Sequence, residues 1–508
     1  MLNNQTSSVW TFPYSLRWSA GQDSIGSWGI AMSHVELSQF QYGPGTPASY
    51  YVTPVGIDSM ILSASEFGAG TVLTTDAHEG FSVIVNLAPS SGATPILALP
   101  LVQGMGFVTG VYTSATPLIQ SGVLFRELSP LTRVGASWKC SVSLYDGTTW
   151  LVYITPDGDG SEPTVTLTSS STITGPAGFN GIIQIAKLSG GSDGEAAYDG
   201  SAGVYAISGT IAASLGTPSI LSGAGIVAAD YSLSWTKAGN TSKTLIMFAL
   251  PHHVQTFSGD TINAPINNVT LQTTTKGIAT AVLADSWNMT EILPTNMTFA
   301  PWSPTYNSVT VLPEAAIALV NSSAASELSE DMPSQTDLDS LYFSGKGLAK
   351  FAAIVYTAND LAQNPGLAAA GLAKLKDALA TFISNTQQTP IVYDTVWKGA
   401  VSNDGYANIN NDFGNTGYND HHFHYGYFVY TAAVIAYLDP DWLVDGTNKV
   451  WIDMLVRDFA NPSTNDPYYP FSRMFDWYHG HSWAAGVFES GAGKSKSLSY
   501  RKLYRRWC

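Results

Sequence analysis

Charge is scarce in this sequence. Only 12% of its 508 residues are Asp, Glu, Lys or Arg, about half of the usual ~25% of a soluble chain. Basic groups are scarcer still: 22 Lys and Arg face 38 Asp and Glu, a net charge of -16. Nucleic-acid binding needs basic surface to neutralise phosphate, and membrane-surface binding needs a polybasic segment. We therefore expect neither nucleic acid nor membrane as a partner. Cysteine is almost absent. Cys140 and Cys508 cannot build a disulfide scaffold or a zinc ribbon. A buried free Cys140 is expected, with a Cys140–Cys508 bridge as the lesser alternative. No apolar run reaches the roughly 20 residues that a membrane-spanning helix needs. The longest is Tyr425–Leu438. The opening residues MLNNQTSSVWTFPYSLRW contain no basic n-region followed by an apolar h-region.

What is present is apolar and aromatic: 45% hydrophobic residues, with 14 Trp, 25 Tyr and 47 Gly. Such a chain buries a core and is not disordered. Low charge with many rings suits a protein that handles a neutral polymer. The length predicts two to four domains at about 100–200 residues each. Six of the basic residues (Lys494, Lys496, Arg501, Lys502, Arg505 and Arg506) fall in residues 493–508 without an acid, leaving 16 basic and 38 acidic groups, a net of -22, elsewhere. Sequons at Asn4, Asn240, Asn268, Asn288, Asn296 and Asn321 permit glycosylation without deciding it.

Residues 1–245 read as a β domain. FSVIVNLA (81–88), SWKCSVSLYD (137–146), TWLVYITP (149–156), GIIQIAKL (181–188) and KTLIMFAL (243–250) are short β-branched and aromatic runs. Gly, Pro, Asp and Ser separate them, as in TPDGDGSEP and SGGSDGE. This pattern predicts an antiparallel β-sandwich. Residues 246–335, interrupted by prolines, read as a linking region with few elements. From 336 to 494 the period becomes helical. Leu348, Phe351, Ala352, Val355 and Tyr356 mark one helix, 367–384 a second, Phe423–Leu438 a third that ends at Asp439-Pro440, and Lys449–Phe459 a fourth. Trp-, His- and Asp-rich loops between them suit a helical barrel with its site on the loop rim. Residues 495–508 form the basic tail.

Three clusters carry candidate chemistry. In DGYANINNDFGNTGYNDHHFHYGY (404–427), Asp412 and Asp420 lie among His421, His422, His424 and Tyr427. Asp420 falls at the start of the third helix, so it is either an N-cap or a carboxylic acid held among rings for proton transfer. His421 and His424 share a helix face, but no HExxH or Cys/His spacing completes a metal site, so no metal or other cofactor is expected. In RMFDWYHGHSWAAGVFES (473–490), Asp476 and His481 are the candidates to contact a ligand, while Trp483 and Phe488 read as packing. In YDTVWKGAVS (393–402), Tyr393, Asp394 and Trp397 are candidates to line the same rim, with core packing of Trp397 an equal alternative.

NDHHFHYGYFVYTAAVIAYLDPDW and FDWYHGHSWAAGVFES, with VWTFPYSLRW and SWGIAMSHVE upstream, resemble the fungal endo-β-1,3-glucanases of glycoside hydrolase family 81. The resemblance implies an N-terminal β-sandwich, a small linking domain and a C-terminal (α/α)6 toroid that is incomplete here. It implies a monomer at the cell wall or outside the cell, acting on internal β-1,3-glucosidic bonds with inversion and without metal. In inverting enzymes a carboxylic acid protonates the leaving oxygen, and a carboxylate about 6.5–9.5 Å away activates water. The resemblance makes Asp420 the acid, and the cluster reading adds His422, His424, Tyr427, Asp412, Asp476, His481, Trp397 and Tyr393 as expected substrate contacts. The family places its basic glutamate just after the Gly493-Lys494-Ser495 segment, where this sequence continues Lys496-Ser497-Leu498 without a carboxylate. The resemblance thus implies a chain truncated at both ends, with a shifted frame or splice site near residue 495 removing the base. A glucan-binding remnant without turnover is the alternative reading.

Overall fold

The computed structural model describes residues 6–49, 51–52, 57–215, 226–274, 276–294, 298–303 and 307–482. Two compact units divide the chain. One draws on residues 1–217 and 228–292, the other chiefly on 293–486, both read over their described residues.

The first unit is rich in antiparallel sheet. A seven-stranded sheet runs in the spatial order Val9–Trp10, Ser15–Trp18, Ile30–Ser33, Met60–Ala64, Pro117–Gln120, Thr172–Thr174 and Thr166–Ser169. A nine-stranded sheet has Ser137–Leu144, Thr149–Pro156, Phe179–Lys187, Val108–Ala115, Leu97–Val102 and Ser82–Ala88 as consecutive neighbours. The five β runs named from sequence all contain strands of this unit. Position in the sheet explains their patterns. Ser137–Leu144 alternates, with Ser137, Cys140, Val142 and Leu144 buried, as a half-covered strand should. The central Thr149–Pro156 strand is paired on both edges and buried without a break from Trp150 to Ile154. Cys140 is buried and has no disulfide partner among the described residues, and burial pushes its thiol pKa up to about 12.

Two stretches differ from expectation. SGGSDGE, expected as a turn, opens helix α1 (Gly191–Ser201). Full burial of Tyr198 and near-complete burial of Ala197 offset the poor helix propensity of its glycines. The proline-interrupted region from 246 holds more strands than expected. Ile246–Ala249, Ile278–Leu283 and Pro265–Gln272 form a three-stranded sheet, and Ser286–Pro294 joins the long hairpin of Val204–Leu215 and Ile226–Gly239. Pro265 starts its strand and Pro294 ends its own, places where a missing N–H costs little.

One buried polar cluster ties distant parts of this unit together. Lys187 Nζ donates to His34 Nδ1 (2.8 Å) and to Glu36 Oε1 (2.6 Å), while His34 Nε2 donates to the Gln272 carbonyl (2.8 Å). Burial first, then the Lys187 charge, lowers the His34 pKa from 6.5 to about 4.

The second unit is helical: α2 (Glu314–Ser329), α3 (Leu341–Tyr356), α4 (Pro365–Ile383), α5 (His421–Leu438) and α6 (Gly446–Ala460). The four helices read from sequence are α3 to α6, and α2 lies in the stretch read as linking. Leu348, Phe351 and Val355 of α3 share one core with Phe428, Ala432 and Ile435 of α5 and with Ile452 and Leu455 of α6. α5 is apolar all round because it is buried on most sides. Gly345 lets α3 and α5 approach closely, since a Cβ there would lie 2.9 Å from the Tyr427 Cβ and 3.0 Å from the Phe428 ring. Among the described residues no helix is long and apolar enough to cross a membrane.

Candidate active site

Asp420, His421, His422, His424 and Tyr427 lie at the start of α5, with Asp412 beside His424, whereas Asp476 and His481 lie on a separate short hairpin and Tyr393 and Trp397 on another. Asp420 occupies the N-cap position of α5, with φ 51° and ψ 28°, a left-handed conformation uncommon for a residue other than glycine. The Asp420 carbonyl accepts from Phe423 N (2.9 Å) and His424 N (3.1 Å), starting the helix. Its side chain makes no capping hydrogen bond to the first turn. The local rule for an aspartate in this place is therefore not followed.

The next residue explains how the conformation is held. His421 is fully buried and bonded at both ring nitrogens, Nδ1 to Asp458 Oδ2 and Nε2 to the Asn415 carbonyl at 2.7 Å. A carbonyl only accepts, so Nε2 donates to Asn415 and carries a hydrogen. Asp458, on α6 and fully buried, also accepts from Ala400 N (2.9 Å) and lies 3.9 Å from Arg473 Nε. Arg473 donates to the carbonyls of Asp458 (3.0 Å), Trp397 (2.8 Å) and Lys398 (2.7 Å) and stacks over the Tyr418 ring at 4.1 Å. Asn415, buried, accepts from Ser402 N (2.7 Å). Gly399 leaves room for these groups, since a Cβ there would meet the Tyr418 ring at 2.3 Å and Asp458 Oδ1 at 2.7 Å.

Sequence reasoning missed Asp458. A signal was present: three residues after Leu455 and seven after Trp451, it lies on the buried stripe of α6 rather than on its solvent face. A carboxylate on an apolar stripe requires a partner.

The other candidates separate by what their polar atoms do. Asp412, expected at the substrate, has both oxygens committed to the start of α3. Oδ1 accepts from Ser340 Oγ (2.5 Å) and Tyr342 N (3.3 Å), and Oδ2 from Leu341 N (3.1 Å). Burial alone would raise its pKa, but His424, Ser340 and the Tyr342 amide outweigh burial and hold it below the ordinary carboxylate value. A buried anion on free amides anchors a helix N-terminus, and in this fold that is the task of Asp412. His424 is buried beside it, with Nδ1 3.6 Å from Asp412 Oδ2 and 3.4 Å from Asn415 Nδ2. Its ring contacts Tyr342, whose ring in turn meets Tyr427. Burial and Tyr342 push the Tyr427 hydroxyl up to about 12. His422 is buried next to the Phe423 ring.

Asp476 and His481 face each other across a short hairpin. The Asp476 carboxylate accepts from Tyr478 N (2.9 Å), His479 N (3.0 Å) and His479 Nδ1 (2.7 Å). His481 is buried, with Nδ1 3.0 Å from the Ser482 carbonyl. Trp483, Phe488, Glu489 and the tail 495–508 lie outside the described residues.

The hairpin Ile391–Asp394/Gly399–Ser402 presents rings to solvent. Asp394 accepts from Val396 N (2.8 Å), Trp397 N (3.3 Å) and the Tyr418 hydroxyl (3.0 Å). Desolvation would raise its pKa, but these hydrogen bonds and the Arg473 charge hold it below its ordinary value. Trp397 is 69% exposed and Tyr393 42% exposed, with the Tyr393 hydroxyl donating to the Tyr468 carbonyl (2.5 Å). Tyr393 and Trp397 are thus two exposed rings on one hairpin, with the Asp394 oxygens committed to the hairpin turn and Tyr418. Among the described residues no three His, Cys, Asp or Glu side chains converge as a metal site.

Comparison with known proteins bears on this arrangement. Residues 1–304 match the model of the glycosyl hydrolase family 81 N-terminal domain, and residues 311–504 match that of its C-terminal domain. The chain belongs to glycosyl hydrolase family 81. Among its relatives, a glucan endo-1,3-β-D-glucosidase of Arthroderma benhamiae is 46% identical over 100% of this chain. The primary septum glucan endo-1,3-β-D-glucosidase of Schizosaccharomyces pombe is 38% identical over 98%, and glucan endo-1,3-β-D-glucosidase 2 of Saccharomyces cerevisiae 33% identical over 98%. The chain spans about half the length of these curated relatives: 56%, 47% and 63%. A mutant of a family 81 glycoside hydrolase from Clostridium thermocellum has a similar fold, with a TM-score of 0.64 at 19% identity, covering 99% of this chain and 64% of that one.

Proposed function

We propose that this family 81 chain acts on β-1,3-glucan, with Asp420 as the general acid of an inverting hydrolysis. The observation that carries the reading is the placement of Asp420. It has a left-handed backbone at the start of a buried helix, next to the His421–Asp458 pair. The printed names of the relatives support the substrate class. The same reading takes the N-terminal sheets as a β-sandwich and the helices from 336 as part of an (α/α)6 toroid. It gives the protein an extracellular or wall location, as a monomer. Tyr393 and Trp397 supply the sugar platform, and His422, His424, Tyr427, Asp476 and His481 shape the site.

In the inverting scheme the Asp420 carboxyl gives its proton to the glycosidic oxygen as the C–O bond breaks, while water attacks the anomeric carbon from the opposite face. A carboxylate must remove the proton of that water. After Ser495, where the resemblance puts that carboxylate, the sequence reads Lys496-Ser497-Leu498, and the second reading is that the chain binds glucan and turns it over at a rate near background.

One experiment tests both. The chain is incubated with linear β-1,3-glucan with and without sodium azide, and the release of soluble oligosaccharides and glycosyl azides is followed by mass spectrometry, because a glycosyl azide carries no reducing end. Azide needs no deprotonation, so it replaces base-activated water and yields an α-glycosyl azide from the β-linked substrate. The expected result is little release in buffer and a rise of more than roughly tenfold with azide, lost again in Asp420→Asn, in line with the 10²–10⁴-fold typical of acid–base groups. Unchanged release from Asp420→Asn removes Asp420 as the acid. Robust release without azide shows that another carboxylate serves as base.

A further inference from the structure

The structure sorts the sequons that sequence alone leaves equal. Those at Asn4 and Asn296 lie outside the described residues. Asn321 lies within α2, donates from Nδ2 to the Ala362 carbonyl (3.2 Å) and accepts from Asn364 Nδ2 (3.2 Å). A sugar on its Nδ2 would have to fit against the Ala362 carbonyl and the Asn364 side chain that this amide already contacts. Asn268 donates from Nδ2 to Asp193 (2.6 Å). Asn288 lies inside the strand Ser286–Pro294, and its sequon hydroxyl, Thr290 Oγ1, is spent on Asp230 (2.6 Å).

Asn240, exposed as Asn268 and Asn288 also are, differs from the other described sequons in lying outside any helix or strand and in how its amide is bonded. It is exposed and stands in the turn that follows the strand Ile226–Gly239. Its backbone is fixed: Asn240 N donates to the Gly203 carbonyl (2.7 Å) and its own carbonyl accepts from Lys243 N (3.0 Å). The sequon hydroxyl, Ser242 Oγ, donates to Asn240 Oδ1 (2.6 Å). That bond fixes the amide by its oxygen, and no described protein group accepts from Nδ2.

We propose that Asn240 is an N-glycosylation site of this protein and that the Asn321 sequon stays unmodified. The inference rests on the extracellular reading above, because only a chain that enters the secretory route meets the donor, a lipid-diphosphate-linked oligosaccharide. In the transfer, Nδ2 of Asn240 forms a bond to C1 of the first sugar. The C1–O bond to the diphosphate breaks, the lipid diphosphate leaves with the electron pair, and Nδ2 loses one proton. The glycan then projects from an exposed turn and displaces no hydrogen bond.

The full chain is expressed behind a cleavable secretion leader in a eukaryotic host, which separates competence of the site from native location. Glycopeptide mass spectrometry is applied to the cell-retained and secreted pools together. The expected result is a glycan on the peptide carrying Asn240, absent from both Asn240→Gln and Ser242→Ala, and an unmodified Asn321 peptide. Ser242→Ala keeps the asparagine, so its loss of glycan reports the sequon rather than a folding defect. An unmodified Asn240, or a glycan on Asn321, overturns the proposal.

Discussion

Asp458→Ala is the sharpest probe of how the α5 terminus is held. It removes a fully buried carboxylate that accepts from Ala400 N at 2.9 Å and from His421 Nδ1. Each donor left buried without a partner costs about 1–3 kcal/mol, and breaking a buried pair from one side costs about 3–5 kcal/mol. Arg473 is partly spared, since it keeps its bonds to the carbonyls of Trp397, Lys398 and residue 458. Asp458→Asn should behave differently. Its Oδ1 still accepts from Ala400 N. Because His421 Nε2 donates to the Asn415 carbonyl, a neutral His421 offers Nδ1 as an acceptor for the new amide. The isosteric variant should therefore cost only about 1–2 kcal/mol, the lost ionic part of the pair. Urea unfolding followed by far-ultraviolet circular dichroism reads the helical unit. At about 2 kcal/mol per M, Asp458→Ala should lower its midpoint by about 2 M and Asp458→Asn by less than about 1 M. Equal damage from the two variants, or a midpoint unchanged in Asp458→Ala, would refute the reasoning.

Acidification should weaken the sheet-rich unit through His34. Its folded pKa of about 4 lies below the unfolded 6.5, so the unfolded chain binds the extra proton between those values. Stability is then complete above about pH 6.5 and falls by at most about 3 kcal/mol as pH drops towards 4. His34→Gln, which keeps an acceptor for Lys187 without a titrating ring, should flatten that slope in pH-dependent unfolding, and a persistent slope would assign it elsewhere. Trp397→Ala should leave unfolding within about 0.5 kcal/mol of the parent, because the ring is 69% exposed. The same variant should weaken retention on insoluble β-1,3-glucan by about 0.5–1.5 kcal/mol, and unaltered retention would remove Trp397 from the binding surface.

The sequence by itself determined the broad plan. Runs of alternating or unbroken β-branched residues announced the strands, and the 3.6-residue period from 336 announced α3 to α6, because these signals are local. It also placed Asp420 at the start of α5, since the apolar run of that helix begins just after it. Tertiary structure decided the tasks of the polar groups. Asp412 and Asp420 look alike in sequence, eight positions apart in one motif, yet Asp412 meets the α3 terminus across 72 residues and is spent there. Asp458 pairs with His421 across 37 residues, a contact that no local period encodes. The same distinction separates the sequons, alike as tripeptides and unlike once Ala362 and Asn364 fold onto Asn321. Periodicity reports which face of an element is buried. Only the assembled fold brings together the donors and acceptors from distant segments, and those decide what each buried or exposed polar group does.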